Sequence, residues 1–241
     1  AEDDGNDPMQ GMPLDMEWVD LKSDLGEYIS NWWRGATRNK HNHVGSLKIH
    51  NIWKVERHGV KDTFLKNQKL IKGEMDKFNN ERPLHQDKKR LDLATEERRD
   101  YWDTNTSLVF HGTRSVNVAG ILREDFRFPK ELVGVAINGA AFGPGNYFAD
   151  DWKKSCGYCS SPNSYWAGGG GVQNRKSFMF ACDVIMGNPH VVSSGYPFTN
   201  APQGHHSVFG KGGAGGYLMN NEWIIYRKGR SQIRYLAEIE W

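Results

Sequence analysis

The chain has 241 residues, a mass of 27.4 kDa and three cysteines. Apolar residues at 38% and charged residues at 25% suit one large folded domain or two small ones and exclude a disordered chain. Three cysteines exclude a disulfide-stapled scaffold. No apolar run approaches the roughly 18 residues of a membrane helix, and no signal-peptide pattern is visible.

The net charge of +2 conceals a polarity. Residues 1–30 hold nine acids and one base, a charge of −8, so the remainder carries +10. A basic body favours polyanionic ligands: a nucleotide, a nucleic acid or an acidic protein.

In chain order, residues 1–13 mix acids with Gly5, Pro8, Gly11 and Pro13 and read as a lead-in. Trp18, Leu21, Leu25, Tyr28, Ile29 and Trp32 recur at helical steps, predicting an amphipathic helix from Asp15 to about Gly35. The alternation in Ser46–Arg57 predicts a strand. Residues 62–80 predict a helix with Phe64, Ile71, Met75 and Phe78 on one face. Residues 81–100 are highly charged and read as solvated loop or short helix. Short strands then follow between glycine-rich turns: Leu108–Phe110, Gly145–Phe148, Ser177–Val184, His190–Val192, Glu222–Tyr226 and Ile233–Trp241. The expected class is α+β with a mostly antiparallel sheet. The expected organisation is an acidic lead-in plus one amphipathic helix over 1–45, then the main domain over 46–241.

Several motifs lead nowhere. Gly210–Gly215 matches G-x-G-x-x-G, but it precedes a strand rather than a helix. Cys156 and Cys159 spell C-x-x-C without two further zinc ligands or a thioredoxin-like setting, and read as small apolar residues. Asn105-Thr-Ser107 is a glycosylation sequon with nothing else to suggest secretion.

Three other pieces carry chemistry: Phe110-His111-Gly112-Thr113-Arg114, Phe142–Asp150 (FGPGNYFAD) and Asn221–Tyr226 (NEWIIY). Each sets a polar residue at a strand edge beside glycine or aromatics. Together, and in this order, they resemble the His–Tyr–Glu signature of the diphtheria-toxin-like ADP-ribosyltransferases. The likeness is closest to the poly(ADP-ribose) polymerase catalytic domain. LKIHNIWKVER resembles its opening strand, HGTRSVNVAGILREDFRF and FGPGNYFADDWKKSCGYC its central segments, GHHSVFGKG its H-S-V loop, and NNEWIIYRKGRSQIRYLAEIEW its closing strands. The likeness covers 47–241, with extra length near 80–105.

The resemblance implies an ADP-ribosyltransferase fold and cleavage of the nicotinamide–ribose bond of NAD+, through a transition state that builds positive charge on the ribose. It implies His111, Tyr147 and Glu222 as catalytic. His111 would hold ribose hydroxyls, and Glu222 would accept from the nicotinamide-ribose 2′-hydroxyl. Gly112 and Ser155 would bind the carboxamide, with Tyr158 and Tyr147 as the walls of the nicotinamide site. Thr113, Asn117 and Arg127 would grip the adenosine half. NAD+ is implied as substrate, with no metal.

Two departures bear on the product. The longer-chain polymerases carry a Tyr-Met pair where this chain has Ala140-Ala141, and a Tyr two residues before the catalytic Glu, where it has Asn220. Mono-transfer is therefore expected over polymer, to a protein or RNA acceptor. About 45 residues precede the core, with one clear helix, so the helical autoinhibitory domain of the DNA-damage-dependent members is not expected here. An NAD+ glycohydrolase or a non-catalytic ADP-ribose reader are the competing classes. A reducing cytoplasmic or nuclear compartment is expected, with no membrane partner. A toxin or delivered effector is the bacterial version of the reading, with a cognate inhibitor or immunity protein. Basic residues cluster in Lys66–Lys77 and Lys88–Arg99, where a nucleic-acid acceptor would dock.

Overall fold

The computed structural model describes residues 14–37, 44–78, 100–131, 140–162, 164, 175–213 and 217–241. The lead-in over 1–13, the charged stretch from 81, including Lys88, Lys89 and Arg90, and residues 214–216 of the glycine loop lie outside them.

Leu14–Trp18 is a strand, β1, rather than the start of the helix. Leu14 and Met16 alternate with Asp15 and Glu17, and that period of two pairs the segment antiparallel with Lys48–Arg57, β2. The chain then reverses: Lys22 N donates to Asp20 Oδ1 at 3.0 Å, and Ser23 N to Asp20 O at 3.0 Å. Helix α1 begins only at Asp24 and ends at Gly35. Its N-cap is Ser23, whose hydroxyl accepts from Gly26 N at 3.1 Å. Asp24 and Glu27 in the first turn and Arg34 in the last complement the helix dipole. Gly26, Ile29, Ser30 and Trp33 form its buried stripe.

Helix α2 spans Val60–Phe78, and Phe64, Ile71 and Met75 bury against Tyr101 and Ile185 as the helical spacing predicts. Then come β3 (Thr106–Gly112), α3 (Ser115–Glu124), β4 (Asn146–Phe148), α4 (Trp152–Cys156), β5 (Ser177–Ile185), β6 (Pro189–Val192), β7 (Ser207–Gly210), β8 (Glu222–Ile225) and β9 (Ser231–Glu240). A five-stranded sheet runs β1-β2-β9-β5-β3 and a four-stranded sheet runs β4-β8-β7-β6. Pairing is antiparallel except between β6 and β7, so the α+β expectation holds.

The interior strand β5 explains its own apolar sequence. Met179 and Ala181 face a cluster with Ile29, Trp33 and Ile52, while Phe180, Cys182 and Val184 face a second with Phe148, Trp223 and Leu236. The first lies under α1; the second fills the space between the sheets. A strand covered on both faces cannot alternate with polar residues. Because α1 shares the first cluster, Trp32 stacks on Phe110 with ring centroids 4.6 Å apart. That ring is adjacent to His111.

Asn105 of the sequon is 1% exposed and its Nδ2 donates to Gly187 O at 2.8 Å, which closes it to a glycosylating enzyme in the folded chain. Among the described residues no helix is long and apolar enough to cross a membrane.

Candidate active site

The two sheets join beside His111. Phe110 N donates to Ala149 O at 2.7 Å and Ala149 N to Phe110 O at 2.9 Å. That bridge sets β3 against the end of β4. His111 Nδ1 then lies 2.9 Å from the carbonyl oxygen of Tyr147. A carbonyl oxygen only accepts, so Nδ1 carries the proton. Burial pushes the imidazole below its usual pKa, and the hydrogen bond to Tyr147 opposes this only in part. The ring, packed against Phe126 and Phe148, is neutral and presents its Nε2 lone pair, an acceptor suited to a ribose hydroxyl.

Gly112 has a steric reason to be glycine. A Cβ there would stand 1.9 Å from the carbonyl oxygen of Ser155 and 3.2 Å from Cys159 Sγ. The end of β3 and helix α4 therefore touch backbone to backbone. Asp151 caps α4 by accepting from Lys153 N at 2.9 Å, and Trp152 N donates to Ala36 O at 3.1 Å, so the end of α1 anchors this helix. Ser155 is buried at the Gly112 contact, and Tyr158 follows in the next turn.

Tyr147 pairs with Ile224 across β4 and β8, and Glu222 pairs with Gly210 across β8 and β7. Burial pushes the Tyr158 phenol up to about 12, with the Glu222 charge adding to it. Tyr147 is raised too, again by burial first and then by Glu222 and Tyr158. The three side chains thus share one electrostatic neighbourhood, and both phenols stay protonated. The Tyr147 hydroxyl is already committed: it donates to Gly143 O at 2.7 Å and accepts from Phe142 N at 2.9 Å. Gly143 sits at φ +82°, where a Cβ would also strike Phe198 O at 1.9 Å. Tyr147 therefore offers its ring as a wall and uses its hydroxyl to hold the F-G-P-G turn.

Glu222 is 18% exposed and forms an ion pair with Lys154, 11% exposed, from α4. Lys154 Nζ also donates to Asn221 O at 3.1 Å. Asn221 Nδ2 donates to Asp150 Oδ2 at 2.8 Å, and Asn221 Oδ1 accepts from Gly212 N at 3.0 Å. Lys154, Asn221 and Asp150 were not singled out from the sequence. All three lie inside the quoted segments, but only the close approach of α4 to β8 shows that they meet.

On the other side, Thr113, just before the Arg114 cap of α3, is buried and its Oγ1 accepts from Asn117 Nδ2 in the first turn at 3.1 Å. Arg127 is exposed and pairs with Glu124, which also binds Arg123. Its guanidinium is thus held beside α3 and is partly neutralised by Glu124. Cys156, Cys159 and Cys182 are free and buried; burial holds the Cys159 thiol at about 12 and the other two well above their usual range. The C-x-x-C pair is therefore unreactive packing. Among the described residues no group of three His, Cys, Asp or Glu side chains could hold a metal ion.

The arrangement sets the backbone of Gly112 against Ser155, with the Tyr147 and Tyr158 phenols within electrostatic reach of the Glu222 carboxylate. The family model for the poly(ADP-ribose) polymerase catalytic domain matches residues 30–216. Poly [ADP-ribose] polymerase 1 of Gallus gallus is 24% identical over 99% of this chain and 22% of its own length. Poly [ADP-ribose] polymerase 2 of Zea mays is 25% identical over 98% of this chain and 34% of its own length. Poly [ADP-ribose] polymerase 1 of Danio rerio is 29% identical over 56% of this chain and 15% of its own length. The chain thus spans about a third or less of these relatives, and two of the alignments include the segment before residue 47. With that family model matching most of the chain, the chain belongs to the poly(ADP-ribose) polymerase catalytic-domain family, the domain class that transfers ADP-ribose from NAD+.

Proposed function

We propose that this domain transfers a single ADP-ribose unit from NAD+ to a macromolecular acceptor. What supports the transfer is that Gly112 at the end of β3 abuts Ser155 of α4, that Lys154 of the same helix pairs with Glu222 of β8, and that His111 is held by the Tyr147 carbonyl of β4. The glycine edge and the Tyr158 and Tyr147 rings would hold the flat nicotinamide, and the His111 Nε2 lone pair would accept from a ribose hydroxyl. Glu222 would place negative charge where the ribose becomes cationic, which lowers the barrier by electrostatic preorganisation. Ala140 and Ala141 are exposed small residues beside Phe142, and Asn220 stands two before Glu222, so neither position supplies an aromatic grip for a second ADP-ribose. That supports one transfer rather than a chain. Three buried, free thiols suit a reducing compartment, cytoplasmic or nuclear.

Incubation with labelled NAD+ and cell lysate tests the reading. Label removed by protease identifies a protein acceptor, and label removed only by ribonuclease an RNA. Free nicotinamide without macromolecular label would replace transfer by hydrolysis, and no nicotinamide release would leave a reader. Long labelled ladders on a gel would overturn mono-transfer.

A further inference from the structure

The reacting carboxylate sits at the first residue of β8, where a strand is least constrained. Three segments that must stay in fixed relation meet there. Helix α4 carries Ser155 and Lys154, strand β8 carries Glu222, and the stretch 211–213 leads away from Gly210, the residue facing Glu222 across the sheet. One residue, Asn221, links all three through its side chain and its main-chain carbonyl. Asn221 Nδ2 donates to Asp150 Oδ2 at 2.8 Å, just before the α4 cap; Asn221 Oδ1 accepts from Gly212 N at 3.0 Å; and its own carbonyl accepts from Lys154 Nζ at 3.1 Å. Gly212 fits so closely that a Cβ would stand 2.4 Å from the carbonyl carbon of Asn220. Asp150 is buried, so its carboxylate needs such a donor.

We infer that Asn221 is a positioning residue for the reaction: its amide ties α4 and the 211–213 stretch to β8 and so fixes the distance from the Ser155–Tyr158 wall to Glu222. Its amide oxygen and nitrogen each engage a protein partner and its main-chain carbonyl engages Lys154, so it acts through the placement of Lys154 and Glu222. No neighbouring residue type reproduces the arrangement. Aspartate lacks the donor that Asp150 requires, and leucine lacks both groups. The inference rests on the transferase reading above.

The test is a four-member cycle: parent, Asn221→Asp, Asp150→Asn, and the swap Asp150→Asn with Asn221→Asp. The swap restores a donor–acceptor pair in the reverse sense, and the new carboxylate can still accept from Gly212 N. Nicotinamide release gives kcat and KM for NAD+, and thermal unfolding reports folding. Each single variant is expected to lose about 10-fold or more in kcat, because a misplacement of about 1 Å is that costly, with KM within about threefold. The swap is expected to recover to within about threefold of the parent. If the singles match the parent, or the swap is no better than the worse single while it unfolds at the parent temperature, Asn221 has no positioning role. A parent that releases no nicotinamide would overturn the enzymatic reading itself, and the two failures are thereby distinct.

Discussion

Lys154 and Glu222 form an ion pair across the gap between α4 and β8, with both side chains mostly buried. The lysine precedes Ser155 on the helix that abuts Gly112, so that helix and the Glu222 carboxylate are linked by a charge pair. With both side chains largely removed from solvent, that pairing restrains the carboxylate.

Glu222→Gln keeps the shape and removes the charge. Nicotinamide release is expected to fall about 10²–10³-fold, with NAD+-induced thermal stabilisation nearly unchanged. Lys154→Met keeps the stem, leaves the mostly buried Glu222 without its cation, and is expected to lower both turnover and thermal stability. Turnover within a factor of two of the parent in Glu222→Gln removes it from the mechanism.

Tyr158→Ala is expected to weaken NAD+ binding, as loss of an aromatic–base stack costs about 1–3 kcal/mol, or roughly 5- to 150-fold. Gly112→Val is not an equivalent probe of the pocket. Its Cβ meets the Ser155 carbonyl oxygen at 1.9 Å, so it is expected to separate α4 from β3 and lower the unfolding temperature as well as the affinity. A titration of thermal shift against NAD+ checks both, and an unmoved affinity in a folded Tyr158→Ala protein would place the nicotinamide elsewhere.

His111 is held neutral by burial, below its ordinary pKa. The unfolded chain takes up a proton near pH 6.5 and the folded one does not, so stability is full above that pH and is lost as pH falls below it. One such group gives a slope of up to about 1.4 kcal/mol per pH unit. His190 and His206 are lowered as well, by burial first, and add in the same direction. Urea unfolding between pH 7 and 5 is expected to show this slope, and His111→Asn to make it shallower. An identical slope in the variant would mean that His111 protonates freely in the folded state.

Asp125 follows α3 at φ 66° and ψ 179°, a region that suits glycine. Its carboxyl is also pushed above the usual range by burial. Asp125→Gly removes both strains and is expected to stabilise by about 1 kcal/mol in urea unfolding at pH 7. The gain should shrink at acid pH, since the raised pKa makes the charged form the unfavourable one in the folded chain. A destabilised glycine variant would mean that the Asp125 hydrogen bond to Phe126 outweighs the backbone strain.

Order and spacing along the chain determined much of this protein. FHGTR, FGPGNYFAD and NEWIIY are contiguous; strand alternation between glycine-rich turns made the α+β class readable, while His111, Tyr147 and Glu222 were named by the family resemblance of those segments. Helical spacing likewise gave Phe64, Ile71 and Met75 of α2. The first segment misled because Trp18, Leu21 and Leu25 fit a helical period while Leu14 and Met16 fit a strand. The available partner, the free edge of β2, settled it for Leu14–Trp18. Only the tertiary structure decided the partners of the site. Lys154 and Glu222 are 68 residues apart in number, and Asp150 and Asn221 are 71. Nothing local in either segment specifies the other; the Phe110–Ala149 bridge and the Gly112–Ser155 contact bring α4 against β8. Periodicity reports which face of an element is buried, whereas charge pairing across elements is set by how those faces are assembled.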